Sequence, residues 1–109
     1  MFTLVSSAAR TTNGNSGPLQ LGGAFDNITL EVIVSAVSGT TPSMALSVQW
    51  SVDGTDFGPV DGTADTFAAI TAAGNVVKEL PVRAPYMQIS WTLTGTTPSF
   101  TFAVDAATD

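Results

Sequence analysis

Gly39-Thr40-Thr41-Pro42-Ser43 returns 56 positions later as Gly95-Thr96-Thr97-Pro98-Ser99, and both copies lie between strand-like segments. After the first copy Met44, Leu46, Val48 and Trp50 alternate with small or polar residues. After the second, Phe100, Phe102, Val104 and Ala106 repeat that parity. A period of two puts alternate side chains on one face of a strand, so each copy builds one oily face and one wet face. Before the pentapeptide Ile33 answers to Ile89, Val37 to Leu93 and Ser38 to Thr94. The repeat predicts one β-hairpin present twice, turning at the shared pentapeptide.

Parity separates the two copies upstream of the turn. Ile28, Leu30, Val32, Val34 and Ala36 occupy even positions, whereas Met87, Ile89, Trp91 and Leu93 occupy odd ones. A slip of one residue turns a strand inside out. Either a bulge absorbs the extra residue in one copy, or the first strand is covered on both faces. The apolar Ile33 and Val37 favour the second expectation, and with it a partner subunit against the outer face.

Elsewhere Gly, Pro, Asn and Asp clusters cut the chain into short apolar segments at the spacing of an all-β fold. Strands are predicted at Phe2 to Ala9, Leu19 to Leu21, Asn27 to Val37, Ser43 to Val52, Phe57 to Val60, Thr66 to Ile70, Val76 to Leu80, Tyr86 to Leu93 and Ser99 to Val104. Thr11 to Pro18 reads as a loop. Asp53-Gly54 and Ala72-Ala73-Gly74-Asn75 read as turns, unless Ala68 to Ala73 forms one turn of helix. The expected architecture is a single domain over residues 1–109: a two-sheet antiparallel β-sandwich of about eight strands, jelly-roll or Greek-key, with a duplicated hairpin. Residues 1–10 are expected as an N-terminal arm or an edge strand, and 105–109 as a short tail.

Charge narrows the partners. Nine acidic residues against three basic ones leave −6, with Arg10, Lys78 and Arg83 the whole basic complement. Nucleic acid and anionic membranes are therefore disfavoured, because Lys and Arg supply most of the affinity for phosphate. Charged residues make up only 11% of a chain that is 44% hydrophobic, so Ser, Thr, Asn and Gly must keep the surface wet. Such a surface suits packing against neighbours, and it equally suits a Thr-rich β domain with hydroxyls at its outward strand positions. The 21 uncharged residues between Glu31 and Asp53 have the length of a membrane span, but Gly39, Pro42, five Ser, two Thr and Gln49 break them into two strands. Met1 to Val5 has no basic n-region and Arg10 follows soon after, which argues against a signal peptide.

Cysteine and histidine are absent, which removes disulfides, thiolate sites, imidazole sites and His-dependent nucleophilic triads. Asp53, Asp56, Asp61 and Asp65 crowd one stretch and offer a calcium alternative, without the ligand progression or bidentate Glu of an EF-hand. Asp in turns bonds its own backbone, and that reading comes first. Trp50 and Trp91 continue apolar stripes and read as core. Phe57, between Asp56 and Gly58, is the aromatic expected to be most exposed, capping the core or stacking on a ligand. Arg83 is expected to pair with a carboxylate such as Glu79 or to contact a neighbouring subunit. Phe2, Leu4, Arg10, Phe57 and Arg83 are the candidate partner-contact residues; no catalytic, cofactor or metal residue is assigned.

Leu46 to Phe57, with its Ser51-Val52-Asp53-Gly54 turn, followed by Val82-Arg83-Ala84-Pro85-Tyr86-Met87-Gln88-Ile89, resembles the strand and turn pattern of discoidin-like jelly rolls. That likeness implies a fold, and the cysteine pair common in extracellular discoidin domains is missing. From Asn27 to Asp105 the chain also resembles the capsid decoration, or cement, proteins of tailed bacteriophages, through Gln49-Trp50-Ser51 with its Asp53-Gly54 turn and the ending Trp91 to Phe102. This resemblance implies a non-enzymatic virion protein on the capsid exterior, assembled in the host bacterial cytoplasm. It implies a homo-oligomer, a trimer being favoured, bound to the major capsid protein. The alternatives are a carbohydrate-binding module on a tail or spike, and a tail or head–tail joining protein.

Overall fold

The computed structural model describes residues 2–21, 26–61 and 65–108. Seven strands are present and no helix is found among the described residues: β1 (Phe2–Arg10), β2 (Gly14–Asn15), β3 (Leu19–Gln20), β4 (Asn27–Ser51), β5 (Gly58–Pro59), β6 (Gly74–Pro81) and β7 (Tyr86–Thr108). All pairings are antiparallel and join the strands into one sheet with the path β1-β7-β4-β5, on which β2 and β3 pair with β7 and β6 pairs with β4. The fold is thus all-β and antiparallel. β1 lies at an edge of the sheet, and β7 continues through the residues expected as a tail as far as Thr108.

The predicted duplicated hairpin is not formed. β4 runs straight through the first pentapeptide and β7 through the second, and the two strands pair with each other from Ile28 opposite Thr108 to Ser51 opposite Tyr86. The two pentapeptides meet at the crossing, where Thr40 faces Thr96. Gly39 stands opposite the step Thr97-Pro98, and Gly95 opposite the step Thr41-Pro42. Each is a bulge of two residues against one, so the repeat is a self-complementary joint with a local twofold.

Backbone geometry at the joint repeats with the sequence. Gly39 and Gly95 both have φ 114°, and Thr41 and Thr97 both have φ 47°. A Cβ on Gly39 would sit 2.8 Å from the Thr97 carbonyl oxygen, and one on Gly95 2.7 Å from that of Thr41. A tight turn also uses Gly and Pro, which is why the pentapeptide reads as one. What it accommodates here is the other copy's backbone. Pro42 and Pro98 fit because a bulge tolerates a residue without an N–H. Each left-handed Thr hydroxyl donates to the carbonyl of the preceding Thr at 2.8 Å. Left-handed backbone is costly for a β-branched residue, and Asn tolerates it. Thr41→Asn should therefore raise stability by about 0.5–1 kcal/mol, read as a higher denaturation midpoint at unchanged slope.

The parity question resolves in favour of a bulge, against the expectation of a first strand buried on both faces. Val34 faces Phe102 but Ala36 faces Thr101, so Ser35 is an extra residue, and its hydroxyl donates to the Thr101 carbonyl at 3.3 Å. β4 thus carries two extra residues between buried Val34 and buried Met44, at Ser35 and at the joint, and its even parity survives. β7 carries one between Trp91 and Phe100, and its parity flips. Ile33 and Val37 are only half-buried.

A straight strand of β4's length would span about 80 Å at roughly 3.3 Å per residue, yet the longest dimension of the molecule is 42 Å. The long ribbon is therefore bent. On one side of the joint Ile28–Ser38 pairs with Ser99–Thr108, flanked by β6 and β1. On the other Ser43–Ser51 pairs with Tyr86–Thr94, flanked by β5, β2 and β3. Ile28, Leu30, Val32, Phe100 and Val104 from the first half and Met44, Leu46, Val48, Met87 and Ile89 from the second belong to one buried core. Trp91 meets Phe102 across it edge to face, with ring centroids 5.3 Å apart. Each half takes one arm from each sequence copy.

Candidate functional site

Phe67, Ile70 and Asp65 lie on a segment laid along the second half of β4. Reciprocal bonds link Met44 and Ile70, Phe67 N–H donates to the Leu46 carbonyl at 2.9 Å, and Val48 N–H donates to the Asp65 carbonyl at 2.9 Å. This ladder is the predicted Thr66 to Ile70 strand reduced to isolated bridges, and it excludes a helical turn. It also carries the Asp65 carboxylate inward, to 1% exposure. Arg83 grips that carboxylate with two parallel bonds, Nε to Oδ2 at 2.7 Å and Nη2 to Oδ1 at 2.8 Å, while Trp50 Nε1–H donates to Oδ2 at 2.5 Å.

Burial by itself pushes the Asp65 carboxyl upward. The hydrogen bonds from Arg83 and Trp50, with the charges of Arg83 and Lys78, outweigh it and hold the group below the usual carboxylate range. The same bonds raise Arg83. The sequence reading gave Asp65 turn chemistry first and calcium as the alternative, and gave Arg83 a carboxylate such as Glu79 or a subunit contact; the structure joins these two residues to each other. The signal that could have found the pair is Trp50, because a buried indole N–H requires an acceptor.

Asp53 organises the turn after β4. Its Oδ1 accepts from the Thr55 and Asp56 N–H groups at 2.9 Å each and from the Ser51 hydroxyl at 2.7 Å. Those bonds, the Asp56 and Thr55 amides first, hold its carboxyl far below the ordinary range. Asp56 and Asp61 are exposed. Among the described residues no three His, Cys, Asp or Glu side chains gather as a metal site would require. Asp53 spends its acceptor capacity on the turn that the sequence predicted for it.

Of the remaining candidates, Leu4 and Arg10 line one pocket beside Trp91. Phe2 is described by its backbone alone, opposite Ala106, and Met1 lies outside the described residues. Leu4 is half-buried against the core. Arg10 closes β1 with its guanidinium 5.0 Å from the Trp91 ring centroid and 5.5 Å from that of Phe102, donating to the Ser6 carbonyl at 2.9 Å. Its Nε is buried without a hydrogen-bond partner. Phe57 is half-buried between Asp56 and β5. Phe57 is not among the residues lining the pocket that Leu4 and Arg10 share.

A cleft of about 360 Å³ lies on the outer face of β6, β4 and β7, lined by Thr29, Glu31, Val77, Asp105, Ala106 and Ala107. Glu31 stands directly opposite Asp105 there. Sequence reasoning assigned nothing to this face, because neither residue is near the other along the chain. Comparison with protein-family models, with curated proteins and with solved structures finds no match to this chain.

Proposed function

We propose that this chain is a non-enzymatic virion structural protein that decorates the outside of a tailed-phage capsid, bound to the major capsid protein and acting as a homo-oligomer, with the trimer favoured by the family resemblance. The observation that carries the reading is where the ionisable groups are spent. General acid–base chemistry needs a group poised near neutrality. The two carboxylates with resolved shifts, Asp53 and Asp65, are both held downward, one by a turn and one by Arg83 and Trp50. Apart from Glu31 and Asp105, the long strands carry no charge, and many of their outward positions, such as Thr29, Ser47, Gln49, Gln88, Ser90 and Thr101, are polar. This is chemistry for broad contact with protein. We further propose that the bent sheet serves as the two-layer sandwich, jelly-roll or Greek-key in style, that presents this surface.

A protein that binds an assembled shell but not its separated subunits stabilises the shell by mass action. Repetition on a symmetric lattice multiplies modest contacts. Purified chain mixed with undecorated tailed-phage capsids should bind to a fixed number of copies per capsomer and raise the melting temperature of the shell. Saturable uptake by a glycan array with none by shells would overturn the proposal in favour of a carbohydrate module. Closed rings in the electron microscope would favour a tail or joining protein.

A further inference from the structure

The two edges flanking the first half of the sheet are built differently. β1 is broken by two register shifts, between Thr3 and Val5 and between Val5 and Ala8. Bulges of this kind blunt an edge against further pairing. β6 has none: its register with β4 runs unshifted from Asn27 opposite Pro81 to Val34 opposite Gly74. Val77 on it is 61% exposed and Val76 39%.

The direction of the free backbone groups on β6 follows from one bond. Val82 N–H donates to the Asp26 carbonyl at 2.9 Å, so residues 82, 80, 78, 76 and 74 are the ones that exchange bonds with β4. Asn75, Val77 and Glu79 therefore turn their N–H and C=O groups away from the sheet, and no other strand among the described residues pairs there. Pro81 has the same orientation, and its missing N–H costs the sheet nothing. Three donors and three acceptors are presented at a two-residue spacing.

We propose that β6 pairs edge to edge with β6 of a second copy, antiparallel about a local twofold at Val77, so that one sheet continues through two molecules. In this register Val77 meets the partner's Val77, and Asn75 meets the partner's Glu79 twice over, amide donor to carboxylate. On the other face Val76 lies opposite the partner's Lys78, whose amine is drawn inward, 6.0 Å from the Phe67 ring centroid of its own chain. Sliding by two residues one way sets Lys78 against the partner's Lys78, and by four Glu79 against the partner's Glu79, which like charges disfavour. Slid by two the other way, Val76 meets the partner's Val76, but both Asn75–Glu79 pairs are lost. The polar pattern thus selects its own copy in one register, as an isologous contact requires. This pairing is separate from any threefold contact and would link chains of neighbouring oligomers.

Sedimentation equilibrium of the full chain from micromolar to millimolar concentration tests this without any capsid. The expected result is self-association in twos, or in even multiples where another contact is also made. Asn75→Lys, which places a cation against the partner's Glu79 at two symmetric positions, should tighten it about tenfold, and Asn75→Asp should loosen it by about the same factor. Val77→Pro removes an outward N–H and none that binds β4, so it should abolish pairing while leaving the denaturation midpoint of the dilute chain unchanged. Equal association constants for the two Asn75 variants, or a chain monomeric at every concentration, would overturn the inference. Capsid uptake is measured separately, so the two readings fail separately.

Discussion

Gly39→Ala and Gly95→Ala should each cost about 2–6 kcal/mol, the largest effects expected of any single methyl added to this chain. Two causes add at each site. The backbone sits at φ 114°, where a side chain is strained by about 1–3 kcal/mol. The new methyl would also stand 2.7–2.8 Å from a carbonyl oxygen of the opposite strand, and overpacking of that kind costs about 1–3 kcal/mol. The obstructing atom is backbone and cannot swing away. A domain of this size has only about 5–15 kcal/mol to lose, so either variant should show a much lower urea midpoint. The double variant should cost less than the sum, because each glycine faces the other copy across one shared joint. If each pentapeptide were an ordinary hairpin turn the two costs would add, and that outcome would sink the joint.

Arg83→Ala should cost about 3–5 kcal/mol, since it strands a carboxylate that is 1% exposed. Asp65→Asn leaves behind an arginine side chain that is 31% exposed and rehydrates, so about 2–3 kcal/mol is expected. Arg83→Lys should fall between wild type and Arg83→Ala, because an ammonium cannot make both parallel bonds. The pH dependence follows in sign. Asp65 is lowered in the folded state, so its contribution is fully present above the unfolded carboxylate value near about 4 and is lost as pH falls through the folded value. Asp53 acts in the same direction. Wild-type stability should stay level from neutrality to about pH 5 and drop below about pH 4, with a shallower drop in Asp65→Asn. Equal acid limbs in the two proteins would show that the pair does not set them.

Much of the strand content was legible because burial follows a period of two that any single strand displays. Ile28 to Val34, Met44 to Trp50, Met87 to Trp91 and Phe100 to Ala106 could be assigned to an inner face before any partner was known. The turn role of Asp53 was equally local, since its acceptors and donors lie within three residues. Arg83 was expected to pair with a carboxylate such as Glu79, and the carboxylate it pairs with is Asp65, eighteen positions away along the chain. Nothing in a linear pattern says which carboxylate a guanidinium will find. The outer-face cleft and the β6 edge were invisible for the same reason.

By itself the sequence determined that the chain is β, which faces are oily, that the two copies differ by one residue in parity, and that the same pentapeptide occurs twice. Tertiary structure alone decided that the joints close on each other, that Ser35 is the residue absorbed, and that Asp65 is neutralised by Arg83. The physical reason is that alternation and left-handed backbone are set within a few residues, whereas the partner of a strand is chosen by whichever distant surface completes its hydrogen bonds and its packing.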